Sequence, residues 1–342
     1  MKPVRIVQIG TGHHHATACW GSLNLNKDCY EVLGLCEPTE EYKDRPATTK
    51  AYAGAKLFTL DEVLAMDDLD AVAIEAGKEY SCEIAQKFAD KGIAVFVDKP
   101  GSADFPMWEK FVSTMKAKNL PLEIGYMYRY NPLVQEALAM ARSGELGEIY
   151  SVEAQMSVRH NAELRGWLGR YKGGMMYFLG CHLVDMICLF QGFPKEILPM
   201  SCSTGNEGLD TEDFGFTVFK YSNGVSFAKT CGSEVNGFDR RQLVICGTKG
   251  TYEIRPWEIH TPDGYKTTAK LTKLENHVQW GNGATDIESE RYTRYDPMMR
   301  HFAALVRGEA EMICSYDYEI ELFKTVVAAC GAKNRTCGED YE

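Results

Sequence analysis

Lys99 is placed as a ligand-facing residue would be. It follows Val95, Phe96, Val97 and Asp98 and precedes Pro100. Three consecutive apolar residues read as a strand buried on both faces, since such a strand loses the polar alternation. In an open α/β sheet, ligands bind outside the carboxyl ends of the strands. Pro100 cannot donate to a sheet ladder and biases Lys99 away from helix, so the lysine is held on a stiff corner.

A second chemical pattern opens the chain. Residues 4–9 alternate and then turn through Gly10, Thr11 and Gly12, with a helical pattern from Ala16 onward. Strand, glycine turn and helix is the context of a dinucleotide fingerprint, in which backbone approaches a pyrophosphate at a helix N-terminus. His15 stands where the third fingerprint glycine would fall, and the same pattern also suits an ordinary βα turn. The strand of residues 30–36 ends at Glu37. An acid there can accept hydrogen bonds from adenosine ribose hydroxyls and repel a 2′-phosphate, which favours NAD over NADP. A solvated turn acid is the plainer alternative. His13, His14 and His15 are adjacent and point different ways, and no carboxylate or cysteine close in sequence completes a ligand set. No metal site is expected; the histidines are expected at the pyrophosphate or the pocket rim.

A third pattern lies in residues 173–185. Gly173 and Gly174 lead into an almost wholly apolar helix, whose polar members are His182 and Asp185, three apart and near one face. Such a helix should be buried. A core histidine capped by Asp185 is an equally simple account.

These residues need elements to position them. Residues 4–9, 30–36, 56–58, 69–74, 95–97 and 120–124 read as strands. Helical patterns separate them, notably at 60–66, 81–91 and 105–118. This βαβα rhythm predicts a doubly wound parallel sheet over residues 1–125. Beyond 126 the rhythm changes. After a helix at 134–143, strands are expected at 149–156, 197–203, 214–221, 225–230, 243–246 and 250–254. Residues 222–224 form a hairpin turn, and helices at 297–307 and 317–330 close the chain. Residues 126–342 therefore read as an α+β domain with a mostly antiparallel sheet. Residues 261–286 carry no clear pattern.

Length and composition agree. The 342 residues suggest about two domains. A hydrophobic content of 45% with 25% charged residues is ordinary for a globular enzyme. The net charge of −11 argues against nucleic acid and anionic membranes as partners. No apolar run spans a bilayer and no secretory pattern opens the chain, which predicts a cytoplasmic protein. The twelve cysteines show no Cys-x-x-Cys, and Cys36, Cys188, Cys246 and Cys330 lie in apolar segments, so reduced thiols are expected.

Together these pieces resemble the Gfo/Idh/MocA oxidoreductases, the family of glucose-fructose oxidoreductase and inositol dehydrogenase. The resemblance rests on Ile9 to Gly12, Glu37, Asp98-Lys99-Pro100 in place of Glu-Lys-Pro, Gly125 to Pro132, Ser143 to Ile149, Gly173-Gly174, Gly180 to Asp185, and Gly247 to Thr251. It implies a Rossmann domain, a second domain with a large open sheet that makes homo-dimers or tetramers, and NAD(P). It implies that Lys99 polarises or deprotonates a sugar hydroxyl and that His182 accepts or relays the proton. Cofactor contacts are expected from Gly10, Thr11, Gly12, His13, His14, Glu37, Glu75, Lys99, Pro100 and Tyr128. Substrate contacts are expected from Tyr128, Arg129, Arg159, Tyr177, Phe178 and Asp185. Two departures stand out. Phe178 occupies the position of a family aspartate, for which Tyr177 substitutes only if the helix is rotated. Glu75-Ala76-Gly77-Lys78 replaces a Thr-Pro-Asn type of turn. The expected function is a dehydrogenase of a sugar, cyclitol or sugar derivative. A redox-neutral glycoside-cleaving or epimerising enzyme and a non-enzymatic NAD-linked sensor are the alternatives.

Overall fold

The computed structural model describes residues 2–281 and 283–338. The chain forms two compact units. One comprises the chain up to Tyr126 together with Tyr295–Phe323; the other comprises Met127–Arg294 and the chain from Lys324 onward.

The first unit alternates strand and helix: β1 (Val4–Ile9), α1 (Ala16–Leu25), β2 (Tyr30–Cys36), the short α2 (Arg45–Thr48), β3 (Leu57–Phe58), α3 (Leu60–Leu64), β4 (Ala71–Ile74), α4 (Lys78–Lys91), β5 (Ala94–Val97), α5 (Phe105–Ala117) and β6 (Leu122–Ile124). The strands lie in the order β3-β2-β1-β4-β5-β6, and every pair is parallel. Every residue of β4 and β5 is buried, as their unbroken apolar runs require. Local signals set the helix ends. Thr59 and Glu62 form a reciprocal capping box at α3, Asp104 accepts from the Met107 N–H at 2.9 Å to start α5, and Gly92 ends α4 at φ 82°. The chain winds outward from β1 to β3 and then crosses back to β4. This makes a topological switch point between β1 and β4, the place where such sheets bind ligands.

The second unit contains α6 (Pro132–Ser143), β7 (Ile149–Gln155), α7 (Ala162–Leu168), a π-helical turn (Met176–Gly180) running into α8 (Cys181–Gln191), β8 (Glu196–Pro199), β9 (Phe214–Lys220), β10 (Val225–Cys231), β11 (Gln242–Gly247), β12 (Gly250–Ile254), β13 (Ile259–Thr261), β14 (Gly264–Lys266), β15 (Thr268–Lys273) and β16 (Thr285–Glu288). Eight strands form one sheet in the order β16-β15-β12-β11-β7-β10-β9-β8. Only β7 and β10 pair in parallel. The Ser222-Asn223-Gly224 turn joins β9 to β10, with the Tyr221 N–H donating to the Gly224 carbonyl at 2.9 Å. The unread stretch 261–286 folds as β14, β15 and the start of β16, residue 282 lying outside the described residues.

Helices α9 (Asp296–Val306) and α10 (Tyr316–Ala329) end the chain. A single break after residue 125 leaves both in the second domain, whereas α9 clusters with the first unit. Its apolar face is buried there through Met298, Met299, Phe302 and Ala303, with Phe302 at 6.0 Å from the Phe96 ring. The Asp296 carboxylate accepts from Ser22 at 2.5 Å and Asn26 at 3.2 Å, at the end of α1. None of the twelve cysteines is in a disulfide. Among the described residues, no helix is long and apolar enough to cross a membrane.

Candidate functional site

The loops after β1, β2, β4 and β5 converge at the switch point of the first unit. Gly10 adopts φ +91°, and a Cβ there would lie 2.5 Å from the Ala76 nitrogen. A Cβ on Gly12 would lie 2.5 Å from the Tyr42 ring. Only glycine fits either position, so the turn after β1 presses directly on the turn after β4. The Thr11 N–H and hydroxyl both donate to Glu37 Oε2 at 2.6 Å. The Thr39 N–H and hydroxyl donate to Glu37 Oε1 at 3.0 and 2.5 Å. Glu37 thus stands against the glycine turn, where a ribose-binding acid belongs. A glycine cradle at the switch point, with this carboxylate beside it, fits a dinucleotide.

Arg45 also touches this turn. Its Nη1 donates to the Thr11 carbonyl at 2.7 Å, and its guanidinium lies 4.5 Å from the Tyr42 ring centre. Arg45 is not among the expected site residues; it stands at the start of α2, eight residues after Glu37.

Beneath the turn lies a buried set of charges. His13, Glu75, Lys78, Asp98 and Lys99 are each at most 5% exposed. The His13 N–H donates to the Glu75 carbonyl at 2.8 Å, tying the two loops together. His13 Nδ1 lies 3.4 Å from both Glu75 Oε2 and Asp98 Oδ2. His15 Nδ1 lies 3.1 and 3.2 Å from the two Asp98 oxygens. The His13 and His15 rings are nearly perpendicular, 4.7 Å apart. His14 is exposed. Divergence of adjacent residues therefore holds for His14 alone: His13 and His15 are alternate residues and converge on a carboxylate from another loop. Lys78 donates to the Asp98 carbonyl at 2.6 Å. Lys99 is buried at the end of β5, and the Lys99–Pro100 peptide is cis.

Burial sets the protonation here. It pushes the Glu75 carboxyl well above its ordinary range, and the neighbouring Asp98 charge adds to this. Burial also opposes the charge on Asp98, but the His13 and His15 imidazoles outweigh it and hold Asp98 well below. Loss of solvation lowers His13, His15 and Lys78, against the raising effect of Asp98.

In the second unit, His182 is buried on α8 with its ring edge-on to Tyr128, 4.9 Å between centres. The Tyr128 hydroxyl donates to Glu258 Oε2 at 2.8 Å. Arg241 donates to the same oxygen at 3.1 Å, and Arg294 grips Glu258 from Nε at 2.5 Å and Nη2 at 2.7 Å. Burial first, then the Glu258 charge, raises the Tyr128 hydroxyl far above its ordinary value, so it stays a donor. Tyr128 is among the expected site residues; Glu258, Arg241 and Arg294 are not, and they lie between the expected strands and helices.

Arg129 and Asp185 hold each other. Nε meets Oδ2 at 2.9 Å and Nη2 meets Oδ1 at 2.8 Å, both side chains being buried. Asp185 therefore pairs with Arg129 rather than capping His182. Arg159 is half-exposed and pairs with Glu207 at 3.3 Å. Gly173 and Gly174 adopt φ +83° and +42°, and a Cβ on Gly174 would meet the Glu212 carbonyl at 2.2 Å. The π turn then alters the register. Its i→i+5 geometry adds a residue to the turn over Met176–Gly180, so Phe178 and His182 are not spaced as in a regular α-helix. Tyr177 is buried and stacked on Tyr171 at 4.7 Å, while Phe178 packs edge-on to His160 and Trp167.

Comparisons with known proteins follow this division. Residues 4–126 match the oxidoreductase family model with an NAD-binding Rossmann fold, and residues 134–253 match the GFO/IDH/MocA C-terminal domain. An inositol 2-dehydrogenase of Rhizobium meliloti is 32% identical over 237 residues, 64% of this chain and 70% of that protein. A D-xylose 1-dehydrogenase (NADP(+)) of Haloferax volcanii is 29% identical over 168 residues, 48% of this chain. That match spans about half the relative's own length, 51%. A 2,7-anhydro-N-acetylneuraminate hydratase of Mediterraneibacter gnavus is 22% identical over 264 residues, 74% of this chain and 68% of that protein. Among solved structures, a 3-ketoreductase of Actinomadura kijaniata in complex with NADP and TDP-benzene superposes with a TM-score of 0.75 at 17% identity, covering 96% of this chain and 97% of that one. At that identity the likeness is one of fold. Two matched domains in the order the sheets require, and a relative above 30% identity, place this chain in the Gfo/Idh/MocA oxidoreductase family.

Proposed function

We propose that the chain moves a hydride between a carbinol carbon of a sugar, cyclitol or sugar derivative and nicotinamide. The observation that carries this is Lys99, a buried lysine at the carboxyl end of β5, in the sheet whose switch point holds the glycine turn. The nicotinamide supplies the hydride chemistry when bound. The protein handles the proton. Lys99 polarises the reacting hydroxyl and takes or returns its proton, with His182 as the second acid–base group. Gly10, Thr11, Gly12, His13, His14, Glu37, Glu75, Lys99, Pro100 and Tyr128 are assigned to the cofactor. Tyr128, Arg129, Arg159, Tyr177, Phe178 and Asp185 are assigned to the substrate or to the shape of its pocket. Glu37 favours NAD by repelling a 2′-phosphate; Arg45 is the feature that opposes this preference. Homo-oligomerisation through the open sheet is supported by the alternating burial of β9 to β12, which leaves one face partly exposed.

A second reading is redox-neutral, with the hydride returned after elimination or epimerisation. Phe178 in place of a carboxylate favours it, as does a relative named for a hydratase. Nicotinamide absorbance at 340 nm, followed with NAD and NADP against sugars, cyclitols, sugar acids and glycosides, separates the two. NADH formed by the wild type and absent with Lys99→Met is the expected result. Cleaved or epimerised product without net NADH sinks the dehydrogenase reading and favours the second.

A further inference from the structure

We propose that His13, His15, Asp98 and Glu75 form a site for a first-row divalent cation with the tetrahedral preference of zinc. The site lies at the carboxyl ends of β1, β4 and β5. It shares His13 and Glu75 with the cofactor assignment above, and its argument does not depend on which reaction the chain catalyses.

The spacing is the first reason. Bonds of about 2.0–2.1 Å from zinc to nitrogen or oxygen, arranged as a tetrahedron, put neighbouring ligand atoms ~3.3 Å apart. Here His13 Nδ1 lies 3.4 Å from Glu75 Oε2, 3.4 Å from Asp98 Oδ2, and His15 Nδ1 lies 3.1 Å from Asp98 Oδ2. One donor atom each from His13, His15 and Asp98 falls within 4.8 Å of the others. Two imidazoles with carboxylates suit zinc or its neighbours rather than magnesium, which takes oxygen ligands.

The donor inventory is the second reason. His13 Nδ1 faces two carboxylate oxygens, Glu75 Oε2 and Asp98 Oδ2, each at 3.4 Å. Among the described residues no N–H or O–H bonds either Glu75 oxygen, though both are fully buried. The weakly donating Cys19 thiol and the Asp98 carboxyl are Glu75's near neighbours. A proton on Glu75 would serve one of these contacts; a cation held by His13, His15 and Asp98 would also answer the Glu75 oxygen beside His13. Buried polar atoms without partners are costly, and a metal removes that cost.

Two lysines oppose the cation. The Lys78 ammonium is tied to the Asp98 carbonyl at 2.6 Å, and Lys99 acts on His15 through its charge. The carboxylates of Glu75 and Asp98 offset the dication, and Lys78 and Lys99 weaken its binding without occupying a ligand position.

The test uses the full-length, tag-free chain, dialysed against chelator and titrated with Co2+ alone. The expected result is one Co2+ per chain with the visible d–d bands of a tetrahedral N/O site. His15→Gln and Glu75→Gln should each weaken binding more than about tenfold, and His14→Ala, at the exposed neighbour, should not. Absence of the bands, or binding indifferent to His15→Gln and Glu75→Gln, overturns the site. Should those variants fail to fold by circular dichroism, X-ray absorption of the zinc-loaded wild type decides. Four N/O ligands near 2.0 Å with two imidazoles support the site; no imidazole scattering refutes it.

Discussion

The Tyr128 hydroxyl donates to Glu258 across 2.8 Å, on a carboxylate that also balances Arg241 and Arg294. Tyr128 in turn lies edge-on to His182. The orientation of the histidine's neighbour therefore depends on a residue 130 positions away in sequence. Replacing Glu258 with Gln leaves two guanidinium groups facing a neutral amide, and breaking a buried ion pair this way costs about 3 kcal/mol. Urea denaturation measures it. Tyr128→Phe should cost about 1.5 kcal/mol, the loss of one hydrogen bond to a charged group. A Glu258→Gln protein as stable as wild type would show that the cluster is held by packing alone.

Arg129 and Asp185 form a two-point pair with side chains at 2% and 0% exposure. Asp185→Asn should destabilise the chain by about 3–5 kcal/mol, since it removes the charge that balances a buried guanidinium. Arg129→Met with Asp185→Leu should recover much of that loss, because an apolar pair removes both desolvation penalties. Urea midpoints of the single and double variants check this; a double variant as unstable as Asp185→Asn contradicts it.

Stability should depend on pH through His301. Burial lowers its proton affinity, but the hydrogen bond to Glu123 at 2.8 Å and that residue's charge outweigh burial and raise it. A histidine raised in the folded state contributes its stability fully below its unfolded value, about 6.5, and loses it as pH climbs through the folded value. The stability difference between wild type and His301→Gln should therefore be largest near pH 6 and shrink with rising pH. A gap that is constant or grows with pH rules this out.

Lys99→Met should lower kcat by about 10²–10⁴-fold, the usual worth of a positioned acid–base group. His182→Gln should fall in the same range. Steady-state rates with the best substrate of the panel decide it; a Lys99→Met enzyme within about threefold of wild type excludes the lysine from proton transfer.

Glu37→Ala should erode the proposed preference for NAD over NADP. The carboxylate that repels a 2′-phosphate is removed, while Arg45 stays beside the Thr11 carbonyl. The ratio of kcat/KM for the two cofactors should shift toward NADP by about tenfold, or ~1.4 kcal/mol. An unchanged ratio would show that Glu37 serves only to brace the glycine turn through Thr11 and Thr39.

Much of the scaffold is legible in short windows of sequence. The unbroken apolar runs of β4 and β5, the capping box of Thr59 and Glu62, and the turn at Ser222 to Gly224 are all local. Their physical causes act over a few residues, so the pattern and the structure agree. The register of the helix before His182 was less accessible. A π turn needs one extra residue in a helix, and no local preference marks it; only packing around Tyr177 and Phe178 selects it.

The sequence by itself determined the two-part rhythm, the glycine turn after β1, the acid ending β2 and the lysine ending β5, because strand and turn preferences are short-ranged. Tertiary structure alone decided which charges meet. Glu75 and Asp98 join His13 and His15 through the order of parallel strands, and Arg241 and Arg294 join Glu258 through loops without periodicity. It also decided that α9 belongs with the first sheet. A buried charge needs a partner, but the partner is set by how the chain closes, and neither composition nor spacing carries that information.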